Sequence, residues 1–457
     1  MFFLSVVITL IFVISIGVIA SGKKIDEEGY SLAGRRASPF AVSGILLGAL
    51  VGGASTVGTA EMAYVYGLSA WWFTLGGGIG CLLLALFIAE PLRKSKVTTL
   101  AQFLSNHYGL RMSRLAVVGS ALGTLMAVVA QFLASSALLS AIVPLPSWAL
   151  SLLVAFLILL FIYSGGTKSY SAIGQTKLIL LYITLIACGV VAYGMGHTPW
   201  ALIRELPRFP YFSLFARGIL KESNACLSLI VGTLGTQIYA QAILSASNES
   251  TAKKGALLSA ILMPPIGLLG IWIGLALRRE GVIIEPSQAL PYFLYNYFPK
   301  VFSGVAWATL FITSLGTAAG LSLGVATTVS YDLFVSFKKN TSSRVSLLVN
   351  RLSLLAVILI AFIASLKAAG SFILQWSYLS MGLRGAGVFV PLLATVLYRG
   401  LSPSMAFASG AVGIGTACLW PLLKLPGEGI LMGVFFSALL MLFDILQRGR
   451  IKEKASL

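Results

Sequence analysis

Long apolar stretches dominate this chain, and short polar segments separate them. Each stretch runs for roughly 18 to 30 residues, enough for a helix to cross a hydrocarbon core of ~30 Å. The pattern predicts an all-α polytopic membrane protein with about thirteen transmembrane helices. Their expected extents are 2–20, 39–66, 69–92, 113–143, 147–164, 173–196, 222–247, 254–278, 302–334, 345–367, 372–398, 403–422 and 428–446.

Glycines interrupt two of these stretches near their middles, from Gly48 to Thr56 and from Gly232 to Gln237. Unwound backbone at bilayer depth is tolerated only where it is buried in protein or lines a cavity. Two discontinuous helices in corresponding positions of two halves are typical of the binding site of a secondary transporter. Close helix packing at the glycines is the alternative interpretation.

Each interrupted span opens a run of five spans, and an odd number gives the two runs opposite orientations in the membrane. The chain is therefore expected to contain a 5+5 inverted repeat. The expected parts are an extra N-terminal helix and loop (1–38), the first repeat (39–196), a loop (197–221), the second repeat (222–398), and two C-terminal helices with a short basic tail (399–457).

Composition and charge agree with a membrane protein. Apolar residues make up 58% of the chain and charged residues 10%, with a net charge of +18. Lys and Arg concentrate in alternate loops and in the tail from Arg448 to Lys454, which predicts an outside N-terminus and a cytoplasmic C-terminus. The positive charge is thus explained by topology. We expect lipid bilayer around the protein, no nucleic-acid partner and no obligate protein partner.

The residue inventory argues against an enzyme. Two histidines, His107 and His197, lie in separate loops, and no Cys/His cluster offers a metal site. The run Gly76-Gly77-Gly78 lacks the lysine of a phosphate-binding loop, so we interpret it as a helix-packing surface. No organic cofactor and no metal beyond a sodium ion are expected. The absence of sorting signals favours the plasma membrane of a bacterium, its inner membrane.

Several motifs, in order along the chain, resemble the sodium:solute symporter family. Tyr30 to Arg35 resembles the segment before its first broken helix, and Thr98-Thr99-Leu100 to Tyr108-Gly109 the loop after its third span. Further matches are Gly165-Gly166, the segment Gln241 to Gly255, Pro391-Leu392-Leu393, Ser402-Pro403 and Gly410 to Gly413. The likeness covers roughly residues 25–415. It implies the leucine-transporter fold and transport of a small polar solute together with sodium.

The resemblance also implies where sodium would bind, between carbonyls of the second span and hydroxyls of the ninth. Counted back from Asp332, the carbonyls are those of Gly48 and Val51, and the hydroxyl positions are Gly316 and Thr317, with Thr313 completing the expected ion site. Thr317 fits the family pattern. Gly316 departs from it, because a Ser or Thr is usual there.

A second departure lies at the start of the sixth span, where Ile173-Gly174 and Lys177 replace the family's Thr-Asp pair and Gln. The Lys177 amine could occupy the sodium position, or bind and release a proton, since burial lowers a lysine pKa. The alternative is that Lys177 extends its side chain to water at the cytoplasmic face.

Arg384, near the middle of the eleventh span, is the most unusual side chain in the membrane interior. An arginine there costs from ~3 to more than ~10 kcal/mol unless it is paired or hydrated. Three interpretations remain open: contact with an anionic solute or a gating role, a structural ion pair with Glu61, and extension to the lipid edge.

Other polar groups near the two breaks are candidates for solute binding. For Gln131 an interhelical hydrogen bond is an equal alternative. The predicted solute-binding residues are Gly52, Gly53, Ser55, Thr56, Gln131, Thr236, Gln237 and Arg384.

The sequence therefore predicts a secondary active transporter that carries a small polar or anionic organic solute with a cation, sodium by default, by alternating access. A proton-coupled or ion-independent transporter with Lys177 in place of sodium is one alternative. A transporter-like solute sensor is the other, and the short cytoplasmic tail argues against it.

Overall fold

The computed structural model describes residues 1–21, 35–328, 343–398 and 402–455, without the side chains of a few helical stretches, among them 163–177. The motif residues Tyr30 to Gly34 and the reference position Asp332 lie outside this description. The helices are α1 (Phe2–Ser21), α2 (Pro39–Leu50), α3 (Thr59–Tyr66), α4 (Trp72–Leu83), α5 (Ala89–Lys94), α6 (Leu100–Tyr108), α7 (Leu110–Ser140), α8 (Ser147–Gly194), α9 (Pro199–Glu205), α10 (Arg208–Tyr211), α11 (Ile219–Gly235), α12 (Gln237–Ser245), α13 (Glu249–Arg279), α14 (Ala289–Tyr297), α15 (Lys300–Thr327), α16 (Ser343–Lys367), α17 (Ile373–Ala386), α18 (Phe389–Leu397), α19 (Pro403–Leu422) and α20 (Gly429–Ala455). Turns of π-helix cover Ala54–Gly58 and Leu84–Ile88, and turns of 3₁₀-helix cover Gly67–Trp71 and Pro286–Gln288.

Length and hydropathy make the chain a multi-pass membrane protein. Within the described ranges, seven helices are long and apolar enough to cross a membrane, or up to ten if each of three bent pairs is one span. Many leucine, isoleucine and phenylalanine side chains on their outer faces are exposed. Such a surface suits lipid, where an apolar side chain needs no cover.

Local sequence explains where several of the helices begin. Ser38, Thr99, Asn248 and Ser402 each accept a hydrogen bond from the backbone amide three residues later. These side chains satisfy amides that a helix leaves unpaired at its first turn. Proline follows directly at two of these starts, where its missing N–H costs nothing.

The two predicted breaks are confirmed. After α2 the backbone turns extended at Val51 and resumes as the π-helical turn Ala54–Gly58. At the second break, Thr236 is extended between α11 and α12, which meet at 49°. A third break between α17 and α18, with a bend of 46°, was not predicted.

Predicted spans five and six form one helix, α8, so Gly165-Gly166 is helical and the loop expected there is not formed. In α8, Phe161 and Leu180 both pack against the pair Val13 and Ile312. A straight helix would hold two residues 19 positions apart at about 28 Å. The helix is therefore not straight over its whole length, and each half reaches the cluster that Val13 of α1 and Ile312 of α15 form.

Small residues let the helices approach closely at the centre of the bundle. A Cβ at Gly77 would lie 2.4 Å from Met263 Cε, and one at Gly78 would lie 2.7 Å from Pro264 Cγ. The prediction that Gly76-Gly77-Gly78 is a packing surface is confirmed, because α4 contacts α11 and α13 through these glycines.

Backbone hydrogen bonds join the two broken helices at one end of the bundle, which we call the Arg93 end. Ala37 N–H donates to Ser245 O at 3.0 Å, and Ser247 N–H donates to Ala37 O at 3.2 Å. Arg93 Nε donates to Ala246 O at 2.7 Å. The segment before α2 and the segment after α12 are thus held together.

Charged side chains gather at the opposite end, which we call the His197 end. His197 Nε2 lies 2.9 Å from Glu280 Oε1, and its Nδ1 lies 3.1 Å from Arg279 Nη1. Arg279 also pairs with both carboxylate oxygens of Glu205 at 2.7 Å. At this end, hydrogen bonds and ion pairs between side chains connect the loops, whereas backbone hydrogen bonds make the connection at the Arg93 end.

Candidate functional site

The first break is held open by side chains that replace helical hydrogen bonds. Gly53 N–H donates to Gln131 Oε1 at 2.9 Å, and Gly52 N–H donates to Ser55 Oγ at 3.1 Å. The hydroxyls of Ser55 and Thr56 donate in turn to Gly52 O at 2.9 and 3.1 Å. The polar groups freed by the break therefore find partners within it and on α7.

Two carbonyls at the end of α2 lose their usual partners in this exchange. In a continuous helix the amides of Gly52 and Gly53 would donate to the carbonyls of Gly48 and Ala49. Here these amides bind Ser55 and Gln131 instead. The carbonyl of Gly48, a predicted sodium ligand, is thus released from helical bonding at a buried position. Oxygen atoms of this kind are suitable ligands for a hard cation.

Helix α15 contributes hydroxyls beside this break. Thr313 and Thr317 each donate to the carbonyl four residues earlier, at 2.7 Å. A hydroxyl that donates its proton keeps lone pairs that can face a cation. Ser314 donates to Gln131 O and Oε1 at 3.2 and 3.3 Å, which fixes α15 against α7 and the break.

Gly316 has space for a side chain. A Cβ there would meet Phe161 Cζ at 3.6 Å, an ordinary van der Waals contact, and no closer atom. The packing around this position therefore leaves room for the Ser or Thr that is usual in the family.

The second break brings Thr236 and Gln237 together, but both are occupied. Thr236 Oγ1 donates to Gly232 O at 2.6 Å. Gln237 Oε1 accepts from the amide of Leu100 at 2.8 Å and so caps α6. Its Nε2 is buried without a hydrogen-bond partner. One half of the Gln237 amide is therefore structural, and the other half is a buried donor without a partner among the described residues.

Arg384 lies beside the second break and is 3% exposed. A Cβ at Gly235 would be 3.0 Å from Arg384 O, and one at Gly123 would be 2.5 Å from Arg384 Cγ. The Tyr239 hydroxyl is the hydrogen-bonding neighbour of the guanidinium, and Nε has no partner. Among the described residues no carboxylate lies within 4.0 Å of it, so its charge is not paired.

The suggested ion pair between Arg384 and Glu61 is not formed. Glu61 Oε2 accepts from Ile373 N–H at 2.8 Å and therefore caps the start of α17. Arg384 is 11 residues further along that helix, about 16 Å away. A carboxylate is favourable at a helix N-terminus, which explains why a buried glutamate is found there.

The predicted solute-binding residues fall into two groups, which lie beside two different levels of α7. Gly52, Gly53, Ser55 and Thr56 surround Gln131, whereas Thr236, Gln237 and Arg384 lie near the level of Gly123. The two levels are 8 residues apart on α7, about 12 Å.

Lys177 lies in α8, but its side chain is outside the described ones. Its role at the ion site stays a prediction.

Sequence reasoning missed Ser314 and Tyr239. The spacing of Thr313, Ser314 and Thr317 along one helix was a usable signal for Ser314, because positions three and four apart share a face. Tyr239 had no comparable signal, since one tyrosine in an apolar helix is ordinary.

Comparison with known proteins identifies the fold. One similar solved structure is the substrate-bound outward-open state of a Na+-coupled sialic acid symporter. The similarity covers 97% of this chain and 96% of that one, with a TM-score of 0.75 and 14% identity. A mutant manganese transporter of Eremococcus coleocola matches 93% of this chain and 89% of its own, with a TM-score of 0.48 and 13% identity.

The family follows from the sequence itself. The model of the sodium:solute symporter family matches residues 30–413, which is most of the chain. The resemblance seen in its motifs is thereby confirmed, and transport rather than enzymatic catalysis is what the family and the structural neighbour share. The chain belongs to the sodium:solute symporter family.

Proposed function

We propose that this protein couples the uptake of a small organic solute carrying a carboxylate to sodium, by alternating access between the two broken helices. The observation that carries the choice of solute is the guanidinium of Arg384 beside the second break, which pairs with no carboxylate in the part of the chain that the structure describes. An isolated buried charge is costly, and a carboxylate in bidentate contact with arginine offsets that cost.

The ion part of the proposal rests on the first break. The carbonyls of Gly48 and Val51, with the hydroxyls of Thr313 and Thr317, form the proposed sodium site. It is supported by the release of the Gly48 carbonyl, since Gly52 N–H binds Ser55 instead. Gly316 leaves this site one hydroxyl short, so we expect weak sodium binding.

The proposed topology has about thirteen spans in a 5+5 inverted repeat, with the N-terminus outside and the C-terminus in the cytoplasm of a bacterial inner membrane. Support comes from α2 with α3 and from α11 with α12, the two discontinuous pairs that open the proposed repeats. In this topology the Arg93 end faces the cytoplasm.

Replacement of Arg384 tests the solute class. In proteoliposomes, Arg384→Gln is expected to reduce uptake of carboxylate solutes at least 10-fold, because the counter-charge is lost. Arg384→Lys is expected to retain part of the activity, since lysine keeps the charge without the bidentate geometry. Unchanged affinity and rate in Arg384→Gln would contradict the proposal. Thermal unfolding of both variants shows whether they fold.

Replacement of Gly316 tests the ion site. Gly316→Ser supplies the missing hydroxyl and is expected to increase the stabilisation of the purified protein by sodium over choline, at fixed ionic strength. Gly316→Ala is the matched control, since it adds the Cβ without the oxygen. Equal responses of the two variants would contradict this sodium site.

The alternative with Lys177 is tested in the same assay. If the Lys177 amine occupies the position of the ion, sodium stabilises Lys177→Gln but not the wild type. Uptake that requires sodium both in the wild type and in Lys177→Ala would exclude that alternative and leave sodium as the coupling ion.

A further inference from the structure

A polar cavity lies between the first turns of α11 and α17 and the loop that joins α19 to α20. Its volume is about 460 Å³, which suits a small organic molecule. Asn224, at this cavity, is 11 residues from Gly235 on α11, which places the cavity about 16 Å from the second break. None of the residues predicted to bind solute or ion lines it.

Two hydrogen-bond donors of the cavity have unused capacity. The Arg217 side chain is 9% exposed and binds Glu222 through Nε and Nη2, at 2.8 and 2.7 Å, while its Nη1 has no partner among the described residues. The Arg217 guanidinium lies 5.6 Å from the ring centre of Tyr378. Tyr378 is 5% exposed, and its hydroxyl is buried without a hydrogen-bond partner.

Two acceptors form a separate pair. Asn224 Nδ2 donates to Glu428 Oε2 at 3.1 Å, which leaves Asn224 Oδ1 without a partner. Within the described part of the chain, Glu428 has no cation within 4.0 Å. The cavity thus offers a donor pair, Arg217 with Tyr378, and an acceptor pair, Asn224 with Glu428.

The charges around the cavity balance. Arg217 and Lys221 carry two positive charges, and Glu222 and Glu428 carry two negative ones. A ligand without net charge is therefore favoured over an anion or a cation. Apolar side chains, among them Leu379 and Ile430, complete the lining.

We propose that this cavity is a second solute site and that it binds a zwitterion, a small α-amino acid with an apolar side chain. The ligand's carboxylate contacts Arg217 and Tyr378, its ammonium contacts Asn224 and Glu428, and its side chain packs on the apolar lining. The site does not depend on the solute proposed for Arg384.

The test uses three probes that share one carbon skeleton: L-valine, 3-methylbutanoate, which lacks the amine, and isobutylamine, which lacks the carboxylate. Binding to the purified full-length protein in lipid nanodiscs is measured by calorimetric titration. We expect saturable binding of valine and at least 10-fold weaker binding of the other two, because each leaves one pair of cavity groups unpaired. Equal affinities for the three probes, or no saturable binding of valine, would overturn the proposal.

Three variants locate the bound valine. Tyr378→Phe removes only the hydroxyl and is expected to weaken binding roughly 10- to 150-fold, the loss for one hydrogen bond to a charged group. Tyr193→Phe, at an exposed tyrosine of α8, is the matched control and should leave the affinity unchanged. Arg384→Gln should also leave it unchanged. Loss of binding in Arg384→Gln with full binding in Tyr378→Phe would place valine at the second break and refute a separate site.

Discussion

Gly53 is the residue on which the first break most depends. A Cβ at this position would lie 2.4 Å from Ser314 Oγ and 2.5 Å from Ala134 Cβ. Its amide is the donor that Gln131 accepts. Two helices, α7 and α15, therefore approach the unwound backbone as closely as they do because no side chain is present there.

Gly53→Ala is expected to destabilise the protein by about 1 to 3 kcal/mol, the usual cost of overpacking a filled interior, and to reduce sodium-dependent uptake. Gly44→Ala, in α2 where a Cβ meets no atom within 4 Å, should instead be neutral or stabilise by about 0.5 to 1 kcal/mol. Thermal unfolding in detergent with parallel uptake assays measures both. Equal behaviour of the two alanines would show that Gly53 is not held by this contact.

At the residue scale the sequence could predict which polar groups lie near the breaks, but not how they are used. Gln131 was a candidate for solute binding or for an interhelical hydrogen bond, and its side-chain oxygen accepts from the amide of Gly53 in the break. The capping of α17 by Glu61 was missed, because the partner is a backbone amide 312 positions away. A backbone amide is present at nearly every position, so the sequence does not indicate which one a carboxylate will bind.

At the scale of helices, the Arg93 end couples elements that are far apart in the sequence. The hydrogen bonds of Ala37 with Ser245 and Ser247 join the start of α2 to the end of α12. Arg93, at the end of α5, binds the carbonyls of Ala246 and Ser247 at 2.7 and 3.1 Å. Opening the bundle at this end requires these bonds to break.

Arg93→Gln is therefore expected to speed hydrogen exchange at the amides of Ala37 and Ser247, since the side chain that holds the connection is lost. Exchange measured by mass spectrometry on peptides covering both amides tests this. Lys94→Gln is the control, because the neighbouring Lys94 is exposed and pairs with Glu90 rather than with the carbonyls after α12. An equal increase in both variants would mean that Arg93 has no special part in closing this end.

The breaks in the two proposed repeats were predictable because glycine and hydroxyl residues cluster inside otherwise apolar runs. The bend between α17 and α18 was not predicted, although Gly385-Ala386-Gly387 precedes it. Small residues also occur where helices merely pack closely, as at Gly76-Gly77-Gly78, and the contacts that separate the two cases come from other helices. These contacts between helices cannot be predicted from the sequence alone.

At the scale of the whole molecule, the two ends of the bundle are connected by different interactions. Backbone hydrogen bonds and Arg93 connect the Arg93 end, whereas His197, Glu280, Arg279 and Glu205 connect the His197 end through their side chains. A carrier must open each end in turn, while a sensor need not open both.

Counterflow distinguishes these two activities. Proteoliposomes preloaded with unlabelled solute are expected to accumulate labelled solute transiently, because a carrier returns loaded from either side. Arg384→Gln should show strongly reduced counterflow and serves as the control for leakage. Saturable binding without any counterflow would identify a sensor and contradict transport.

The guanidinium of Arg384, which pairs with no carboxylate in the described part of the chain, has an electrical consequence. One sodium ion and one monovalent anion carry no net charge together, so a complete cycle moves no net charge across the membrane. The carrier itself holds the arginine's positive charge both when it is loaded and when it is empty, and a unit charge that crosses the full field changes in energy by about 2.3 kcal/mol per 100 mV. Voltage would then favour one half of the cycle and oppose the other by the same amount, so it would set how fast the carrier cycles rather than how far it concentrates its solute.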